Sequence, residues 1–438
     1  MNPNAIGSEP LARELSRFAL LALAINGMVG AGIFGLPGKA FALVGAFSPL
    51  LFVLGGLLMA ALMATFAQLA SWFAGTGGPV VYVTAAFGPF AGFQTGWCLY
   101  TSRVVSLAAN TNLLASYLGA FVPGADEGGL RVVVIAVVTL GFGALNVHGV
   151  RTGAQSLVGL TLVKFAPLLL FAVVGLALVA PAPLATMVVP SMGELGPAML
   201  LVFYAFVGFE GALVPAGEAR DPRRDLPRVL FLTAVFTTLL YTVIQVVCVS
   251  AVPNLASSQR PLAEAAAAMV GSEFAPFAIS MVAVAAILSV LGNTAAATLS
   301  APRMTYALAR EGSLPTILGA VHAKAHTPHY SIWLYCSLGL VLGATGSFAQ
   351  LAVISTLARL LGYLASVASV PVLQRRFGAT GLRLPGGLLI PAIAFVLCGW
   401  LVLQVEFTAA WQAAVLIGVG SVLFFVSRRG RRALQAQN

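Results

Sequence analysis

Apolar residues run in long stretches, separated by short connections that hold most of the charge. A membrane-spanning helix needs about 20 consecutive apolar residues. About twelve stretches approach or exceed that length: 18–44, 49–73, 92–118, 130–147, 153–180, 197–216, 229–252, 275–308, 330–344, 349–372, 386–403 and 408–426. The ninth is short, and the eighth is long enough to tilt or protrude. The pattern predicts an all-α integral membrane protein with 12 transmembrane helices. Short helices are also expected at 80–87, at 261–270 outside, and at 313–322 inside.

Charge fixes the expected orientation. With the N-terminus inside, the cytoplasmic connections hold Arg151; Arg220, Arg223, Arg224 and Arg228; Arg303, Arg310 and Lys324; and Arg375, Arg376 and Arg383. The tail adds Arg428, Arg429, Arg431 and Arg432, whereas the outer connections hold chiefly Arg131 and Arg260. This is the positive-inside pattern. It places a multi-pass protein in the cell inner (cytoplasmic) membrane with both termini cytoplasmic. The net charge of +10 over 438 residues is therefore topological and does not form a nucleic-acid-binding face.

Composition agrees. The chain is 59% hydrophobic and 8% charged, against about 25% charged in soluble domains. Cys98, Cys248, Cys336 and Cys398 each fall in a different apolar stretch, without zinc or disulfide spacing. No cleavable signal is evident in 1–17, and no cofactor motif appears.

Two stretches break the apolar pattern. The first reads Asn26-Gly27-Met28-Val29-Gly30-Ala31-Gly32-Ile33-Phe34-Gly35-Leu36-Pro37. Glycine costs about 1 kcal/mol and proline about 3 in a helix interior. Backbone groups freed within a bilayer must find partners or line a cavity. Small residues at this spacing also serve close helix packing. The second stretch reads Phe203-Tyr204-Ala205-Phe206-Val207-Gly208-Phe209-Glu210-Gly211-Ala212, with Pro215 beyond. Gly208 and Gly211 flank a carboxylate. Interrupted helices at matching places in two halves point to a transport site between inverted repeats.

The division that follows is a cytoplasmic segment 1–17, a five-helix repeat 18–180, an inverted five-helix repeat 196–372, two added helices 386–426, and a basic tail 427–438. A broken helix offers N–H groups to a carboxylate and C=O groups to an ammonium. An α-amino acid needs both.

These residues carry a family resemblance. Gly30-Ala31-Gly32-Ile33-Phe34-Gly35-Leu36-Pro37 resembles the first-helix signature of the amino acid–polyamine–organocation (APC) superfamily. Gly77-Gly78-Pro79 with Tyr82, then Phe87-Gly88-Pro89-Phe90 and Gly92-Phe93-Gln94-Thr95-Gly96-Trp97, is similar to that family's approach to helix 3. Phe206-Val207-Gly208-Phe209-Glu210 resembles its broken sixth helix. The connection Ala216-Gly217-Glu218-Ala219-Arg220-Asp221-Pro222-Arg223-Arg224-Asp225-Leu226-Pro227-Arg228 resembles its cytoplasmic 6–7 loop.

The resemblance implies the LeuT-type five-plus-five inverted repeat plus two helices. It implies that Ala31 and Gly32 amides hold a substrate carboxylate, and that carbonyls of Met28, Tyr204 and Val207 hold its amino group. Helices 3, 6, 8 and 10 would line the side-chain pocket. Helix 3 contributes between Ser102 and Leu107, and Asn293 stands on helix 8 where some relatives carry an aromatic residue.

Lys164 is central in its stretch, at a position where some sodium-independent members place a lysine in lieu of a cation. It is expected against carbonyls near Asn26 or Val29 and against helix 8 around 289–294, as the group that couples transport to H⁺. Snorkelling to one interface is the alternative. Glu210 is expected either to bind a proton or to cap the broken helix. Arg103 and Arg359 read as helix-joining or gating residues, with Arg103 a candidate partner of Glu210. His322, His326 and His329 fall in a short connection and read as a solvated loop; His148 is expected to end the fourth helix.

The function expected is secondary active transport of an amino acid by alternating access, Na⁺-independent and H⁺-coupled. An uncoupled amino acid or polyamine exchanger is the alternative. A membrane enzyme would need a grouped nucleophile, base and acid, and a channel a polar stripe along its pore; neither is visible. Apart from Glu210 the pocket offers no obvious acid for a cationic side chain, which mildly favours neutral substrates. Oligomeric state is unreadable.

Overall fold

A computed structural model describes residues 16–73, 78–149, 154–179, 187–213, 222–378 and 381–437. Side chains at 19, 154–163, 222–223, 409 and 429–437 are not described. Residues up to 15, Gly77, Arg151 and the connection Pro215 through Asp221 thus lie outside the described residues, as do the Arg223, Arg429, Arg431 and Arg432 side chains.

Among the described residues, regular structure is entirely helical. The first apolar stretch forms two helices, α1 (Arg17–Met28) and α2 (Ala31–Val44). Then come α3 (Ser48–Ser71), α4 (Pro79–Phe87), α5 (Pro89–Leu118), α6 (Gly128–Val147) and α7 (Ala154–Leu178). The second half holds α8 (Met192–Phe206), a 3-10 turn Phe209–Ala212, α9 (Pro222–Ala251) and α10 (Pro261–Arg310). The chain closes with α11 (His329–Thr345), α12 (Phe348–Phe377), α13 (Leu389–Leu403) and α14 (Phe407–Gln437).

Local chemistry sets these boundaries. Pro49, Pro79 and Pro89 occupy first turns, where the missing N–H costs nothing. Ser191 and Glu194 form a capping box on α8, as do Ser347 and Gln350 on α12. His148 caps the C-terminus of α6. Gly271, at φ 76°, bends α10; the expected outer helix precedes it, and the rest is roughly 58 Å long at 1.5 Å per residue.

The expected inner helix at 313–322 is a correction. Only a 3-10 turn, Thr316–Gly319, forms there. Pro315 precedes it at φ −52° and ψ 136°, and Ala320 is already extended. Too few residues remain to nucleate an α-helix.

Seven helical segments among the described residues are long and apolar enough to cross a membrane. Large aliphatic side chains face outward on the peripheral helices: Val137, Val173, Val396 and Val426 are 63–66% exposed. In lipid such a surface is solvated. α5 is not among the seven, because polar residues interrupt it. Those residues turn inward: Ser102, Asn110, Thr111 and Asn112 are buried, and α5 packs along α12, α10, α4 and α11. The four cysteines are buried free thiols.

The arrangement that positions the site is the crossing of the two interrupted helices. α1 packs against the 3-10 turn after α8, while α2 packs against α8 itself. The two interrupted segments therefore run antiparallel, with their breaks side by side. Small residues permit this. A Cβ on Gly27 would stand 2.6 Å from the Gly208 carbonyl oxygen, and one on Gly32 would stand 2.6 Å from Ala205 Cα.

Candidate substrate site

α1 ends at Met28, and Gly30 is extended at φ −137° and ψ −146°. Ala31 and Gly32 open α2, where N–H groups have no intrahelical acceptor. The second break is sharper. Val207 is extended, and Gly208 adopts φ 115° and ψ −11°, a left-handed conformation suited to glycine. The helical partner of the Tyr204 carbonyl would be the Gly208 N–H. That N–H instead donates to Glu210 Oε2 at 3.1 Å. Two helix ends with unspent backbone groups thus meet near the middle of the fold.

Between them lies a cavity of about 390 Å³. Met28, Ala31, Gly32, Tyr204, Val207 and Asn293 line it, together with Gly30, Gly208, Glu210 and Gly211. Asn293 Nδ2 fills the space that a Cβ on Gly30 would take. The α5 wall is Arg103, Ser106, Leu107 and Asn110; Ser102 stands behind it. Leu23, Leu299, Ser300 and Met304 extend the lining toward the N-terminus of α1 and the C-terminus of α10. At the opposite end the Tyr204 and Phe348 rings meet edge to face at 6.0 Å, and the Tyr117 hydroxyl donates to the Phe34 carbonyl at 2.9 Å.

Lys164 does not line the cavity; it sits behind the first break, 2% exposed. Its Nζ donates to the Val29 carbonyl at 2.7 Å and to that of Asn26 at 3.1 Å. A cation at a helix C-terminus complements the dipole there. The expected contact with α10 is not made as a hydrogen bond: the Ser289 and Thr294 hydroxyls are buried without partners. The Tyr241 hydroxyl donates to Met28 O at 3.0 Å, leaving that carbonyl its second lone pair.

Glu210 is buried and held from three directions. Arg359 Nη1 lies 3.3 Å from Oε1, and the Tyr363 hydroxyl donates to Oε2 at 2.7 Å, beside the Gly208 N–H. The candidate partner, Arg103, does not make this contact; Arg359 does. Arg359 and Tyr363 lie one turn apart on α12, on the face turned to the 3-10 turn, while Arg103 Nη1 donates to Ser300 Oγ at 3.0 Å. Arg359 Nε also donates to Ser102 Oγ at 3.3 Å.

Sequence reading did not single out Ser106 within its helix-3 span and missed Asn110, Tyr241, Ser300 and Tyr363. A signal existed for the first two: positions 103, 106, 107 and 110 follow the i, i+3, i+4, i+7 spacing of one helix face. Among the described residues no group of His, Cys, Asp and Glu could hold a metal ion.

A cavity where two interrupted apolar helices meet is a carrier's architecture, and comparison with known proteins agrees. The chain belongs to the amino acid permease family, whose model matches residues 15–428. It is similar to the branched-chain amino acid permease BcaP of Bacillus subtilis, at 23% identity over 97% of this chain and 94% of that protein. It is similar to the methylthioribose transporter of the same organism, at 26% identity over 96% and 95%. The serine/threonine exchanger SteT of Bacillus subtilis shares 26% identity over 84% of each chain. The protein is a multi-pass membrane transporter, not an enzyme.

Proposed function

We propose that the protein carries amino acids across the cytoplasmic membrane by alternating access. It does so with 12 spans in a LeuT-type five-plus-five inverted repeat and both termini in the cytoplasm. The Ala31 and Gly32 amides receive the substrate carboxylate; the carbonyls of Met28, Tyr204 and Val207 receive its ammonium. The observation that carries this reading is the meeting of both helix breaks in one cavity, an N-terminus from one beside a C-terminus from the other.

Transport on this reading is Na⁺-independent. Lys164 already supplies a cation to the Asn26 and Val29 carbonyls. Loss of its proton would remove the charge that strengthens both bonds and complements the α1 C-terminus, weakening the hold of α7 on α1, which gives H⁺ a route to drive the cycle. Glu210 Oε2 accepts the Gly208 N–H, and the ion pair of Oε1 with Arg359 joins the 3-10 turn to α12. With α1 starting on the cytoplasmic side, the cavity lining leads inward past Leu23 and Met304.

Uptake of labelled amino acids into proteoliposomes tests the proposal. An inward proton gradient should drive accumulation without sodium; uptake that needs sodium would contradict it. A fixed Lys164 ammonium supports the exchanger reading instead. Trans-stimulation by internal amino acid, with no response to the gradient, would select that reading.

A further inference from the structure

We propose that the transported amino acid carries a second negative group, a side-chain carboxylate, and that Arg103 receives it. This rests on the reading of the cavity as an amino acid site and names the substrate class within it.

The first ground is charge. The ionisable residues on the cavity wall are Arg103, Glu210 and Arg359. Glu210 and Arg359 neutralise each other at 3.3 Å. Both Glu210 oxygens are occupied, one by Arg359 and the other by Tyr363 and the Gly208 N–H. Glu210 is therefore spoken for as a counter-ion. Among the described residues no carboxylate lies within 4.0 Å of Arg103, whose side chain makes one hydrogen bond, to the neutral Ser300 hydroxyl. A guanidinium has five N–H donors in a planar fork suited to a carboxylate. The empty cavity thus carries one surplus positive charge. An arginine without an ion-pair contact at membrane depth is costly and marks a ligand path by default. A bound anionic side chain supplies the missing counter-charge.

The second ground is position. Arg103, Ser106, Leu107 and Asn110 form one stripe of α5 facing the cavity. Asn110 accepts the Tyr204 hydroxyl at 3.2 Å, which ties that stripe to the end of α8. On the opposite wall Asn293 meets Gly30, and Ser300, the Arg103 partner, lies seven residues further along α10. That is about 10 Å down the helix axis. Arg103 therefore sits on the cytoplasmic side of the helix breaks within the same cavity, apart from the main-chain groups and free to meet a substrate side chain. The same charge disfavours lysine- and arginine-like substrates.

The test compares acids with their isosteric amides on the purified full-length protein. Unfolding temperature is followed against graded L-glutamate, L-glutamine, L-aspartate and L-asparagine, and apparent Kd values follow from ligand stabilisation. At least one acid should bind tenfold or more tightly than its amide. In Arg103→Gln that ratio should fall to near one, with the amide's own Kd changed less than threefold; Arg103→Lys should keep part of it. Amides binding as well as both acids to the wild type would overturn the inference, even where the variants do not fold. So would an undiminished ratio in Arg103→Gln. In that case binding of the neutral amides would leave the amino acid site standing. Failure of every α-amino acid to bind would remove both.

Discussion

Lys164 and Val29 are joined across helices: the ammonium of α7 donates at 2.7 Å to the last carbonyl before Gly30. Asn26 O shares the same nitrogen at 3.1 Å. One buried cation therefore closes off the end of α1. Its removal strands two carbonyls in the interior, at about 1–3 kcal/mol each. Lys164→Met should lower stability by about 2–4 kcal/mol in thermal unfolding and abolish uptake. Lys164→Arg keeps a donor that does not titrate, so residual uptake should lose its response to a proton gradient. Unchanged gradient-driven uptake in either variant would remove Lys164 from the coupling role.

The Glu210–Arg359 pair predicts strong non-additivity. Breaking a buried pair from one side costs about 3–5 kcal/mol, because the partner is left charged and alone. Glu210→Gln and Arg359→Gln should each be destabilised to that extent. The double variant should recover part of the loss, with a coupling energy of about 0.5–3 kcal/mol in a double-mutant cycle. Strict additivity in the unfolding temperatures would mean that the pair is not formed.

Contact between the breaks separates two kinds of glycine. Gly208 needs φ 115° and abuts Gly27, and a Cβ on Gly27 would strike the Gly208 carbonyl at 2.6 Å. Gly208→Ala and Gly27→Ala should each lose about 1–3 kcal/mol and most transport. Gly292 lies inside α10 with open space where its Cβ would be. Gly292→Ala should hold or gain about 0.5–1 kcal/mol through helix propensity. Equal tolerance at all three positions, read by thermal unfolding and uptake, would contradict the close crossing.

The features legible in the sequence were those that violate a strong local rule. Glycines at 30 and 208 interrupt apolar runs that otherwise favour continuous helix, so both breaks could be placed. A lysine at 164, central in an apolar run, stands out by itself; its place against the Asn26 and Val29 carbonyls is what the family resemblance implies, and the structure has both contacts. The partner of Glu210 was not legible. Arg103 and Arg359 look alike along the chain, and only the crossing of α12 over the 3-10 turn brings Arg359 and Tyr363 within reach. The α5 wall was placed only loosely, between Ser102 and Leu107. A helix packed against neighbours on several sides has no single apolar face to fix its rotation, so Arg103, Ser106 and Asn110 emerge from packing.

The central claim is that main-chain groups at two helix breaks grip both charged ends of an amino acid. Competition binding to the purified protein tests it most directly, using an amino acid it binds, the corresponding amine without the carboxylate, and the corresponding acid without the amino group. The account predicts that each truncated analogue binds at least 100-fold more weakly, a loss of about 2.7 kcal/mol. An analogue lacking either group that competes as well as the intact amino acid would contradict it.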